Sequence, residues 1–188
     1  VAEVLQPSIR FTRDECLDLP DTIMQTREVK MTQEQQKHYK EMLKSLITEV
    51  AEGKITAVNE AIKMQKLIQI ACGCAYDSTG KPIELDCTPR ISALKEVIDE
   101  AGGKIIVFVP LTGVLHMLHR ELSKYYTVAV VNGAVSANER NVIFKNFQNE
   151  NEPQILLAHP ATMSHGLTLT ASSNIVWYGP ITSNEMYT

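Results

Sequence analysis

With 188 residues, 44% of them hydrophobic and 21% charged, the chain can bury a sizeable core and has the composition of a soluble globular protein. Four cysteines (Cys16, Cys72, Cys74 and Cys87) are too few and too scattered for a secreted disulfide scaffold, no signal-like segment opens the sequence, and no apolar run approaches a membrane span. These features predict a reduced, cytoplasmic protein without a membrane partner, and the net charge of −4 neither requires nor forbids a nucleic-acid partner: residues 1–103 hold 13 Lys and Arg against 17 Asp and Glu, and 104–188 hold 5 against 5.

In chain order, residues 9–22 (IRFTRDECLDLPDT) run from basic to apolar, with Pro20 setting an extended connector. A helix is predicted next, opened by the Thr32 and Gln35 capping box, carried by Tyr39, Met42, Leu43, Leu46, Ile47 and Val50, and stopped at Gly53. A second helix is predicted over 56–72, with Val58, Ala61, Ile62, Met64, Leu67, Ile68 and Ala71 on its apolar face. Residues 73–88 carry the turn signals of a loop or short hairpin. Met31, Met42, Met64 and Met117 are expected in the core.

From Thr88 the rhythm changes. Thr88 and Pro89 predict a helix start, with Ile91, Leu94, Val97 and Ile98 inward and a stop at Gly102 and Gly103. Residues 104–109 (KIIVFV) and 127–131 (TVAVV) read as strands buried on both faces. Between them Thr112 caps a helix with Leu115, Leu118 and Leu122 inward. After Asn132 and Gly133, a Ser136 and Glu139 capping box starts a helix using Ile143, Phe144 and Phe147. QILLA (154–158) and NIVWYG (174–179) complete an alternating pattern that predicts an α/β fold, a parallel sheet covered by helices.

Ligands of open parallel sheets sit at the carboxyl ends of the strands. The segment after the third strand holds His159-Pro160, then Ser164-His165-Gly166-Leu167-Thr168-Leu169, then Trp177-Tyr178. This order resembles motif V of superfamily-two helicases, in the form found in Swi/Snf-like proteins of bacteria and phages. KIIVFVPLTGVLHML (104–118) is similar to motif IV, and VNGAVSANERNVIFKNF (131–147) to the segment that follows it. FTRDECLDLP (11–20), TQEQQKHYKEM (32–42) and KLIQIACGCAYD (66–77) resemble the connector and helices that precede the second lobe in that branch.

The resemblance implies a RecA-like second lobe over 88–188, preceded by a connector and helical insertion over 1–87. It also implies ATP and magnesium in a full-length enzyme, with neither expected on this fragment, and DNA, in duplex form, as partner. Gly166, Leu167 and Thr168 would face the ATP cleft, although the family carries Asn where this chain has Thr168. Pro110, Leu111, Thr112, Asn132, Gly133, His159 and Pro160 would follow the nucleic-acid backbone. The chain has no phosphate loop of the G-x-x-x-x-G-K-[ST] type and no paired magnesium carboxylates. It stops at SNEMYT, where motif VI and its arginine finger would begin. It is therefore expected to be inactive without a first lobe in cis.

The same residues also suit plainer roles. Each of these turns serves as an ordinary cap, His159 as a packed side chain, and His165 as an orienter of its loop. Arg140 sits mid-helix and reads as structural; Cys72, Cys74 and Cys87 lack a fourth ligand at zinc spacing. A non-catalytic interaction module and a small-molecule enzyme using His159 and His165 are the alternative readings.

Overall fold

The computed structural model describes residues 22–45, 47–50, 53–56, 60–163 and 169–180. Its centre is a parallel sheet of four strands: β5 (Ile105–Phe108), β6 (Val128–Val131), β7 (Ile155–Ala158) and β8 (Asn174–Trp177), in spatial order β6-β7-β5-β8. The two inner strands are the most apolar, and Ile155, Leu156, Leu157 and Ala158 are all fully buried. Successive residues of β5 face opposite sides. Ile105 and Val107 join one core, and Ile106 and Phe108 the other.

Two helices cover the first side. From α3 (Thr88–Ala101) come Leu94 and Ile98, and from α4 (Thr112–Leu122) come Val114, Leu115, Leu118 and Leu122. The other side is covered by Phe144 and Phe147 of α5 (Ala137–Asn149). Each such side chain contributes about 1.5–3 kcal/mol of burial. Gly102 stops α3 in the left-handed conformation at φ 61°. Ser136 and Glu139 form the predicted reciprocal capping box on α5.

Some expectations shift. Val128, Ala129 and Val130 are only half-buried, because β6 lies at the sheet edge and is not covered on both faces. Cys87, not Thr88, is the N-cap of α3, and its start is held by the Asp86 carboxylate, which accepts from Thr88 N–H (3.0 Å) and Oγ1 (2.6 Å). Likewise Leu111 is the N-cap of α4, and Thr112 lies inside the helix.

The N-terminal part contains α1 (Gln33–Ser45), the antiparallel pair β1 (Ile47–Val50) and β2 (Gly53–Thr56), α2 (Glu60–Cys72), and the antiparallel pair β3 (Cys74–Tyr76) and β4 (Pro82–Glu84). The predicted helix through Val50 is thus a shorter helix followed by a hairpin. Ile47, Thr48 and Val50 are β-branched, and pairing with β2 outweighs their helical spacing. Leu43 (45% exposed) and Met64 (59% exposed) also fall outside the core expected for them. The capping box of α1 is present: Thr32 Oγ1 accepts from Gln35 N–H, and Gln35 Oε1 from Thr32 N–H, both at 3.2 Å. The buried Gln35 amide also donates to the carbonyls of Ile70 (2.8 Å) and Ala71 (3.2 Å), closing the end of α2.

Met42, Ile55, Leu67, Ile70, Ala75, Ile83 and Leu85 make a small core of their own. Cys72, Cys74 and Cys87 instead point into the sheet's core beside Met117 and Tyr178. Gly73 makes this close approach feasible: its φ is +94°, and a Cβ there would lie 2.3 Å from Cys87 Sγ. No helix among the described residues is long and apolar enough to cross a membrane.

Candidate nucleic-acid interface

The hydrogen-bond ladder of the sheet continues one residue beyond three of its strands. Val109 N–H donates to Ala158 O (2.9 Å), His159 N–H to Val131 O (2.9 Å) and Tyr178 N–H to Phe108 O (3.0 Å). The chain then turns away from β5 at Pro110, from β6 at Asn132 and from β7 at Pro160. These three turns are neighbours along one edge, because β6, β7 and β5 are adjacent. Seven residues predicted from sequence to contact nucleic acid are thereby brought together.

Their roles differ. Leu111 packs against the core beneath α4, and Pro160 is buried at the start of a short 3-10 turn, Pro160–Thr162. Both shape their turns. Thr112 and Gly133 are exposed, and His159 is half-buried. The His159 carbonyl accepts from Thr162 Oγ1 (2.6 Å) and N–H (2.9 Å), which fixes the backbone that carries the ring. Asn132 is buried, and its Oδ1 accepts from Ala134 N–H (2.9 Å). The Asn132 oxygen is thereby used within the turn itself. An added Cβ on Gly133 would meet nothing within 4 Å, so the space before it is open.

The two helix starts at this edge are electrostatically unlike. At α5, the capping box occupies N–H groups and places Glu139 in the first turn. The Ser136 hydroxyl and N–H hold that carboxyl below its usual range, so it is ionised and opposes a phosphate there. At α4 the first turn carries no acidic residue and no side-chain cap. Its positive end is better suited to an anion. One of its N–H groups is already taken, since Gly113 N–H donates to the Tyr76 hydroxyl at 2.7 Å. Tyr76 comes from β3, so the N-terminal part braces this turn directly. Nothing in the linear sequence marks Tyr76 for that role; the only signal was a glycine in the second position of α4, where an added Cβ would lie 2.6 Å from Cys74 Sγ.

Arg140, read as structural, braces the turn after β6 through Nη2 to Val135 O (3.3 Å). Arg90 was missed: it donates to Tyr178 O and lies 4.8 Å over the Tyr178 ring, holding the chain where β8 ends. Gly166, Leu167 and Thr168, like His165, lie outside the described residues. The thiols are buried and held in the protonated form; burial pushes Cys74 and Cys87 up to about 11. Among the described residues no three His, Cys, Asp or Glu side chains converge on a metal-sized site.

Residues 89–188 match the helicase conserved C-terminal domain family. A curated relative, putative protein p41 of Acyrthosiphon pisum secondary endosymbiont phage 1, is 30% identical over 159 residues, which cover 85% of this chain and 33% of that protein. The putative ATP-dependent helicase/translocase YwqA of Bacillus subtilis (strain 168) is 22% identical over 196 residues, 94% of this chain and 21% of that protein. The chain thus spans about a third and a fifth of the length of these two relatives. Among solved structures, the Sulfolobus solfataricus SWI2/SNF2 ATPase core domain superposes with a TM-score of 0.63 at 21% identity, over 90% of this chain and 36% of that one. The same core in complex with dsDNA superposes with a TM-score of 0.59 at 20% identity, over 80% and 33%. The sheet order and its helices give the chain the same fold as the Sulfolobus solfataricus SWI2/SNF2 ATPase core, and the family match shows that the chain belongs to the helicase conserved C-terminal domain family.

Proposed function

We propose that this chain is the C-terminal lobe of a nucleic-acid-dependent ATPase that moves on duplex DNA, with residues 1–87 as connector and insertion and 88–188 as the lobe. The observation that carries this reading is the row of Thr112, Gly133 and His159 along the carboxyl ends of three adjacent parallel strands. In this reading Thr112 and the start of α4 receive one phosphate, the open face of Gly133 lets the DNA backbone approach, and His159 donates to another phosphate. Asn132 is assigned to shape the turn that presents Gly133. Pro110, Leu111 and Pro160 hold these turns in place.

Gly166, Leu167 and Thr168 are assigned to the wall of the ATP cleft. ATP bound between two lobes would favour their closure, and hydrolysis of its phosphoanhydride would release them. In this reading a first lobe in cis supplies the magnesium ligands, as the resemblance to superfamily-two enzymes implies. The chain alone therefore binds DNA without turning over ATP.

The test is binding of a short duplex, followed by fluorescence anisotropy between 50 and 200 mM salt. Affinity is expected to fall with salt. His159→Ala should weaken it about tenfold, the equivalent of about 1.4 kcal/mol for a hydrogen bond to a charged partner. Gly133→Ala should weaken binding as well while leaving the melting temperature unchanged, because its new methyl group meets only the incoming backbone. Salt-independent binding, or wild-type affinity in both variants, would sink the reading.

A further inference from the structure

The described end of the β7-to-β8 connection, residues 169–173, is tied to the sheet and to α5 by several contacts. Leu169 packs into the core beneath α5. The Ser172 hydroxyl lies 2.9 Å from the Lys104 carbonyl and 2.8 Å from that of Asn174. Lys104 in turn donates to the carbonyls of Phe147 and Glu150 at the end of α5. Thr170 and Ala171 are held by one side chain. Gln148, in the last turn of α5, accepts from Ala171 N–H through Oε1 (3.1 Å) and donates from Nε2 to Thr170 Oγ1 (2.9 Å).

A carboxamide offers a donor and an acceptor side by side on one carbon. Here both are used on adjacent residues of the same crossover, so they set its register as well as its distance from the helix. The other end of α5 is fixed at the interface: Ser136 caps it, and Arg140 braces the turn that carries Asn132 and Gly133. The 13 residues of α5 span about 20 Å at ~1.5 Å per residue. One rigid element thus touches the nucleic-acid turn at its start and the crossover at its end.

We propose that Gln148 is a positioning residue for the ATPase reaction: it sets the register of the crossover two residues after Thr168 and, through α5, ties that register to the DNA-facing turn. This rests on the function proposed above. Neither hydrogen bond contacts nucleotide, so the effect reaches ATP only through the backbone that Gln148 holds.

Two substitutions separate hydrogen bonding from space-filling. Gln148→Leu keeps the bulk and loses both bonds. Gln148→Glu keeps both, because the Thr170 hydroxyl can reverse and donate to the second carboxylate oxygen. In this chain, exchange of the Ala171 amide should quicken about tenfold in Gln148→Leu and stay within twofold of wild type in Gln148→Glu. In the full-length protein with duplex DNA, Gln148→Leu should raise the KM for ATP about tenfold with kcat changed less than twofold, and Gln148→Glu should restore the KM. A role in stability alone would lower the active fraction and leave KM untouched, which would overturn the proposal. So would unchanged exchange in Gln148→Leu. A wild-type protein without DNA-stimulated ATPase activity would overturn the function proposed above and this role with it, whereas an active wild type with an unaltered KM in Gln148→Leu would overturn this role only.

Discussion

The sheet region, residues 88–180, and the N-terminal elements, residues 22–86, bury their apolar side chains by different means. The sheet region is a sandwich with a core on each side of β5 and β7, and each core draws on strands and on helices that its own residues supply. Among the described residues, the N-terminal elements have a small core of seven buried side chains, then send Cys72 and Cys74 into the core of their neighbour, where Cys87 meets them. A region with so little core of its own gains stability mainly by leaning on a larger one. The contact also runs toward function, because Tyr76 and Cys74 press on the first turn of α4, one of the three turns at the candidate interface.

Three substitutions probe that asymmetry. The largest effect is expected of Gly73→Ala, which must accept a left-handed φ and drive a methyl group to within 2.3 Å of Cys87 Sγ. The strained backbone and the overpacking together should cost about 2–4 kcal/mol in urea unfolding. A cost below about 1 kcal/mol would mean that the seam is not packed as described. A smaller loss is expected of Tyr76→Phe, which leaves Gly113 N–H without its acceptor. About 1 kcal/mol should go, or roughly 2–4 °C in the melting temperature of a domain this size. Unchanged melting would show that α4 starts without help from β3.

The smallest effect belongs to the ion pair on the outside of the same seam. Arg120 Nη1 and Nη2 donate to the two oxygens of Glu84 at 2.9 and 2.6 Å. Both side chains are about half exposed, so Glu84→Gln should cost only about 0.2–1 kcal/mol. The hydrogen bonds from Arg120 hold the Glu84 carboxyl below its usual range. A carboxyl depressed in the folded state stabilises the fold above its unfolded value, about 4.3, and that contribution is lost as pH falls through the folded value. The gap between wild type and variant should therefore be present at pH 7 and close as the solution becomes more acid than the carboxylate range. A gap that persists in strong acid would place the effect elsewhere.

Much of the sheet region was legible because its signals are local. Apolar runs marked β5 and β7, Gly102 marked the end of α3, and the spacing of Ser136 and Glu139 marked the start of α5. The edge position of β6 was not legible, since a run of valines reads alike in an inner or an outer strand. In the N-terminal elements, the apolar residues after Ser45 fit helical spacing, and only pairing with Gly53–Thr56 decides for strand. That Asn132, Gly133 and His159 would lie along one edge of the sheet was legible because a parallel fold dictates where its strand ends point. Tyr76, Arg90 and Gln148 were missed because each acts across a large gap in sequence, on Gly113, on Tyr178 and on Thr170 with Ala171.

The three seam thiols give the molecule a built-in clock. Cys72, Cys74 and Cys87 are shielded from solvent and held in the unreactive protonated form, so an alkylating reagent reaches them only while the seam is open. With Cys16 replaced by serine, the rate at which the reagent is consumed becomes a direct count of openings. Run with and without duplex DNA, that count would say whether a ligand gripping the turn at α4 also tightens the joint on the far side of the same helix start.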